Sequence, residues 1–380
     1  MNTGRTLQQL AAELERQTTT KRDYLASQGA IEAKVIDIPA ATDGAAVRQE
    51  LVLDGFNGDA LNITPYAHGQ IADHLGIPKK YYDRMKAEQP QLLAKNVNTW
   101  LHEAPKDQRM VRTLDGAVRG FLSPRYRPLD NFDLAQAVLP KLIDLKAQIV
   151  SSELTETRMY VKAILPTLSS ELPEGLKWGQ GHNLVGANHQ DGRIVAAIVV
   201  SNSEIGNGTL RVEPSVFTTW CTNLAVMAQA AMKKYHVGRA FEADANMEVF
   251  RDETRKQDDI AFWMKVADVT AAAFDPKIWE AAVAAMRAAG NVQIVSTDIP
   301  KVAEVAVKQL ALPERTTTGL LTSLARGGDL TKLGLSQSLT WLANTEKDYE
   351  TATLLERAGG EVLALEGRNW DLISRAGAAA

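Results

Sequence analysis

The stretch RIVAAIVVSNSEIGNGTLRVEPSVFTTWCTN, residues 193–223, decides the reading of the fold. From Arg193 to Ser201 it is apolar at odd and even positions alike, as in a central strand buried on both faces. Asn202 through Gly208 supply a turn. The returning run carries Pro214, which lacks an amide hydrogen and favours a sheet edge or a bulge. Thr222 or Asn223 then has the form of an N-cap and predicts a helix over 223–235. Cys221 lies beside that cap, where a thiolate is stabilised. With His182, His189 or His236 folded close by it would be a thiol nucleophile, and simple burial as a small apolar residue is the plainer reading.

Working upstream, ETRMYVKAIL reads as a further strand, and residues 168–192 as a loop-rich connection. Asp130 predicts the cap of a helix running to about Leu145, with Pro140 as a kink or break. MVRTLDGAVRGFLS predicts a hairpin turning at Asp115-Gly116, a pair that accepts the positive φ angles of a tight two-residue turn. Thr64-Pro65 has the form of an N-cap and first helical residue, Gly76 that of a stop, and Pro78 opens a second helix. Residues 31–63 alternate short β-type runs with Gly, Asp and Asn. Leu7, Leu10, Ala11 and Leu14 give residues 1–30 the spacing of an amphipathic helix, expected as a loosely attached arm. Downstream of Thr222 the pattern is helical, with segments over 252–273, 276–289 and 300–311 and two or three more up to Gly377. The expected architecture is α+β: an antiparallel or mixed sheet body over 31–240, then a mostly helical portion over 241–380.

Composition narrows the function. The chain has 380 residues and a formal net charge of −4, with a single cysteine. One cysteine makes neither an internal disulfide nor a thiolate metal cluster. His182, His189 and Asp191 match no compact metal-ligand spacing. No metal or cofactor is expected, since the sequence lacks a Walker loop, a dinucleotide glycine fingerprint, a G-x-S-x-G elbow and an H-E-x-x-H helix. No secretory signal or eighteen-residue apolar span is read, so a cytoplasmic protein without a membrane partner is expected. Charge is uneven: between Thr64 and Arg127 eleven Lys/Arg stand against six Asp/Glu, a local excess of +5 inside an acidic chain. Such a zone suits an anionic partner.

Two segments of that zone are candidate nucleic-acid contacts. With Asp115-Gly116 as the turn, Leu114 faces Ala117, Thr113 faces Val118, and Arg112 faces Arg119. Two opposed arginines repel unless something negative lies between them. Arg109, Arg112, Arg119, Phe121, Arg125, Tyr126 and Arg127 together have the makings of a phosphate-tracking, base-stacking surface for single strands. The alternative is that these arginines pair with carboxylates distant in sequence. The second segment, QIADHLGIPKKYYDRM, has the spacing of a helix, a glycine turn and a second helix, as in helix-turn-helix units, and would place Lys79, Lys80 and Arg84 on the second helix. Ordinary helix packing asks for the same alanine and glycine.

LGIPKKYYDRM, FLSPRYRPLDNFDL, VVSNSEIGNGTLRVEPSVFTTWCTNLA and TATLLERAGGEVL together resemble the phage/plasmid-like protein family known as domain of unknown function 932. The resemblance spans about residues 55–365. It implies a protein encoded on phages, prophages or plasmids and acting inside a bacterial cell, and it supplies no catalytic residues. Taken with the basic zone, the expectation is a non-enzymatic binder of DNA, single-stranded by preference, serving replication, recombination or protection, with a homo-oligomer as a subsidiary expectation. A factor engaging a host protein through the acidic helical portion is the alternative, and a Cys221-dependent thiol enzyme the third.

Overall fold

A computed structural model describes residues 4–38, 48–56, 59–172, 193–219, 222–227, 232–234 and 252–377. The chain opens with α1 (Leu7–Thr20), whose N-cap Thr6 and Gln9 form a reciprocal capping box. It continues through β1 (Arg22–Ser27), β2 (Glu32–Ile38), β3 (Arg48–Phe56) and β4 (Asp59–Ile63), then α2 (Pro65–His74), α3 (Lys79–Glu88) and α4 (Pro90–Leu101). The hairpin of β5 (Gln108–Leu114) and β6 (Ala117–Leu122) follows, then α5 (Asn131–Asp144), β7 (Gln148–Leu154), β8 (Met159–Glu171), β9 (Arg193–Asn202), β10 (Leu210–Thr218), β11 (Asn223–Val226) and β12 (Met232–Lys234). The described elements after these are helices: α6 (Asp252–Ala272), α7 (Pro276–Gly290), α8 (Ile299–Gln309), α9 (Thr316–Gly327), α10 (Lys332–Thr345), α11 (Tyr349–Ala364) and α12 (Gly367–Ser374).

Two sheets form the body. The first is mixed, in the order β1-β5-β6-β4-β3-β2, with β4 and β6 parallel. Helices α2 to α4 cover it, burying Ile71, Tyr82, Leu93 and Val97 against Leu51, Leu53, Val111 and Val118. The second is antiparallel, in the order β11-β10-β9-β8-β7, with β12 also pairing with β10. Its central strand β9 sends Ile194, Ala196, Ile198 and Val200 into one core and Val195, Ala197 and Val199 into another. That explains its unbroken apolar run. The fold is α+β with a helical C-terminal part, as the sequence predicts.

Where the chain departs from the sequence expectations, tertiary partners account for it. The predicted helix over 223–235 is replaced by β11 and β12, because Asn223–Val226 complete the sheet against Ser215–Thr218 and all four side chains are buried. Thr222 is not a cap but a positive-φ residue of the β10–β11 connection. Pro214 does not mark an edge. It lies in an internal strand, between the stretch that pairs with β12 and the stretch that pairs with β11. Pro140 does not break α5: Pro140 and Gln136 are both on the exposed face, so the carbonyl that loses its donor is open to water.

The expected loose arm is integrated at both ends. Leu10 and Leu14 are buried in the core of the second sheet, and β1 is an edge strand of the first. In the helical portion, Phe262, Val266, Trp279 and Met286 of α6 and α7 share a core with β8, β9 and β10. Helices α8 to α12 build a cluster of their own. Cys221, His182, His189, Asp191 and His236 lie outside the described residues.

Candidate nucleic-acid interface and a buried arginine network

The β5–β6 turn forms as predicted, with Asp115 at φ 51° and Gly116 at φ 75°. Leu114 pairs with Ala117 and Thr113 with Val118. The register then shifts at a bulge, so Arg112 faces Gly120 rather than Arg119. The slip also changes faces: Phe121 joins Val111 and Val118 in the core instead of lining an arginine face.

Both hairpin arginines point inward. Arg112 is 0% exposed, and Arg119 is 7% exposed. Arg112 Nε donates to Asp23 at 2.8 Å, one Nη to Asp130 at 2.7 Å, and the other to the Glu204 carbonyl at 2.8 Å. Burial opposes its charge, yet Asp130, Asp23 and Glu204 outweigh that and hold the guanidinium above its ordinary pKa. Arg119 donates to the Glu204 carboxylate at 2.5 Å. The other Glu204 oxygen accepts the Asn131 amide at 2.7 Å, placing a carboxylate at the α5 N-terminus. Asp130 is therefore the N-cap by position only, its side chain being taken by Arg112 and Lys21. Arg112, Arg119 and Phe121 do not form the exposed phosphate-tracking ribbon, because each is enclosed by the fold.

Glu204 belongs to the 202–208 loop, and that loop joins the two sheets. Asn202 Nδ2 donates to the Leu129 carbonyl at 2.7 Å and to Asn131 at 2.9 Å. The Tyr126 hydroxyl donates to the Ser203 carbonyl at 3.1 Å. Gln70 of α2 donates to the Ile205 carbonyl and accepts the Phe121 amide, each at 2.8 Å. Gly120 lets the loop come close, since a Cβ there would meet Ile205 at 3.2 Å. The segments SPRYRPLDN and NSEIGNG thus meet in space as an interlocked structural joint.

The other candidates divide by exposure. Arg109 is half-buried beside His74, with Nε lacking a partner. Arg127 reaches Asp258 at 3.1 Å and also Asp259, and lies over Phe262, tying its loop to α6. Arg125 is exposed. On α3, Tyr82 and Met85 anchor the helix, with the Tyr82 hydroxyl 2.8 Å from His68 Nδ1. Lys79, Lys80, Tyr81 and Arg84 are left on the surface, Lys79 paired with Asp83, and Arg84 with Glu88 at 2.9 Å. Tyr81 is 49% exposed. Of the residues named from the sequence, α3 alone gathers cations and an aromatic ring on one open face.

Sequence reading did not single out Glu204, Asp130 or Asp23 as arginine partners, nor Lys21 as the further cation on Asp130. Nor did it find the second buried network, where Lys162 of β8 meets Glu356 of α11 at 2.6 Å and Arg357 meets Glu213 of β10 at 2.7 Å. The available signal was the pair of opposed arginines, which required a nearby negative group. Among the described residues no group of three or more His, Cys, Asp or Glu could hold a metal ion, and no helix is long and apolar enough to cross a membrane. Comparison with protein-family models, with characterised proteins and with solved structures gives no match, so the functional reading rests on this chain's own residues.

Proposed function

We propose that this protein is a non-enzymatic nucleic-acid-binding protein that contacts single-stranded DNA through the exposed face of α3. The observation that carries the reading is the grouping of Lys80, Tyr81 and Arg84 on one accessible helical face, held from behind by Tyr82 and Met85. Lys80 and Arg84 are four residues apart and so lie on adjacent turns, with Tyr81 beside them. Cations flanking an open ring suit a phosphate backbone and an unstacked base. The opening of α3 also carries more basic than acidic residues, and it lies inside the basic zone of an otherwise acidic chain. An accessory role in replication, recombination or protection inside a bacterial cell accords with the resemblance to the phage/plasmid-like family. Assembly into a homo-oligomer belongs to the same reading, and light scattering measures it.

Fluorescence anisotropy with labelled single- and double-stranded oligonucleotides over a salt series tests the proposal. Tyr81→Ala is expected to weaken single-strand binding by about 1–3 kcal/mol, the worth of one stacked base. Lys80→Glu with Arg84→Glu is expected to flatten the salt dependence, by roughly 0.7 in log–log slope for each phosphate that is no longer neutralised. Wild-type protein that leaves the oligonucleotide free at low salt, or variants that bind as wild type does, overturns the reading.

A further inference from the structure

Between the β5–β6 hairpin, the turn 154–158 and the Glu204 loop lies a cavity of about 140 Å³. Its walls include Arg119, Arg158, Thr64, Asn131 and Glu204. We propose that it is a binding subsite for a small tetrahedral oxyanion, inorganic phosphate or the phosphoryl group of a monoester.

The donor inventory argues for an anion. Arg119 is more than nine-tenths buried; one Nη is used by Glu204, and its Nε, also buried, has no hydrogen-bond partner. A buried guanidinium N–H without an acceptor is costly, and an anionic oxygen is the strongest acceptor that can relieve it. Arg158 is the second cation. Its Nε donates to the Asn207 carbonyl and its side chain also hydrogen-bonds Tyr160, but among the described residues no carboxylate forms an ion pair with it. Thr64 adds a hydroxyl whose oxygen accepts the Ala67 amide at 3.3 Å, which leaves its hydrogen to donate.

Glu204, the inward carboxylate on the walls, takes one Nη of Arg119 and leaves the Arg119 Nε, Arg158 and Thr64 donors untouched. Both oxygens of Glu204 are engaged, by Arg119 and by the Asn131 amide. Glu156, also on the wall, is exposed at the rim. The 154–158 turn is fixed in place, since the Thr155 and Thr157 hydroxyls both donate to Glu350 of α11 and the Asn207 amide donates to Thr157 at 2.7 Å. Such a cavity holds a few water molecules, at roughly 30 Å³ each in the liquid, or one oxyanion of comparable total volume. Water would solvate the donors without neutralising Arg158, whereas an oxyanion does both.

The inference is independent of the α3 reading, because Lys80, Tyr81 and Arg84 line no part of this cavity. Isothermal titration calorimetry of the full chain with inorganic phosphate, a nucleoside 5′-monophosphate and the unphosphorylated nucleoside tests it, with thermal denaturation as a second readout. Saturable binding of phosphate or the monophosphate, but not the nucleoside, is expected, with a matching rise in Tm. Arg158→Gln should weaken it about tenfold or more, the loss of a charge-assisted hydrogen bond, while Lys308→Gln on the exposed side of α8 leaves it unchanged. Arg158 is only partly buried, so this variant keeps the test open should an Arg119 substitution fail to fold. Phosphate bound without the monophosphate identifies a free-anion site; binding of the monophosphate identifies an ester site. The inference is overturned if neither phosphate nor the monophosphate gives heat or a Tm shift at millimolar concentration, or if Arg158→Gln binds as wild type does.

Discussion

Arg112 heads the largest side chains that are fully enclosed among the described residues, and its charge is answered by Asp23 and Asp130. Breaking a buried pair leaves uncompensated charge and typically costs about 3–5 kcal/mol. Arg112→Glu, which also reverses the charge facing Asp23 and Asp130, is therefore expected to destabilise by at least that amount, and combined with Arg119→Glu to prevent folding. Urea denaturation followed by circular dichroism measures it; a double variant with wild-type stability would refute the burial. For the same reason that pair of substitutions cannot report on DNA contact, which is why α3 carries the binding test.

His68 is a second residue-scale case. Burial, aided by Lys86 and Lys79, depresses its pKa from 6.5 to about 3. Below pH 6.5 the unfolded chain takes up a proton that the folded chain refuses until about pH 3, so stability is full above 6.5 and falls as pH drops through that window. The slope is expected to approach roughly 1.4 kcal/mol per pH unit for this one group. Half-buried His74, lowered to about 4 mainly by burial, acts with the same sign. Urea midpoints between pH 7 and pH 4.5 check the fall, and His68→Gln should reduce its steepness while leaving a hydrogen-bonding partner for Tyr82.

At the scale of elements, the pair Gly359-Gly360 sets how α11 docks. Glycine inside a helix ordinarily costs about 1 kcal/mol relative to alanine. Here a Cβ on Gly360 would come within 1.6 Å of the Val226 carbonyl oxygen, and one on Gly359 within 2.4 Å of Thr340. The helix therefore lies directly on β11 and α10, and Gly360→Ala is expected to destabilise by about 1–3 kcal/mol rather than stabilise. A raised Tm for that variant would show that the contact is looser. Close docking is what brings Glu356 to Lys162 and Arg357 to Glu213. The same contest between local preference and tertiary partner decides residues 223–226: Asn223 Nδ2 donates to the Gln337 carbonyl and its Oδ1 accepts from Asn344, so α10 and β10 hold as strand what reads locally as a helix start.

At the scale of the whole molecule, the Glu204 loop joins two sheets that each have their own helical cover. This joint explains why the segments SPRYRPLDN and NSEIGNG say more about architecture than about chemistry. Elements governed by local physics were legible in advance: the Asp115-Gly116 turn, the Thr64 cap with Pro65, the two-faced apolar strand β9, and the helices α6, α7 and α8 to within a residue or two. Each depends on backbone preference or on a periodicity contained in a few consecutive residues. What the sequence by itself determined was thus the α+β class and the position of most elements. Only the tertiary structure decided which arginines are buried, because a single bulge in β6 and a carboxylate 85 residues away turned Arg119 from a surface cation into half of a buried pair. Burial is a property of the space between elements, and no window of consecutive residues contains it.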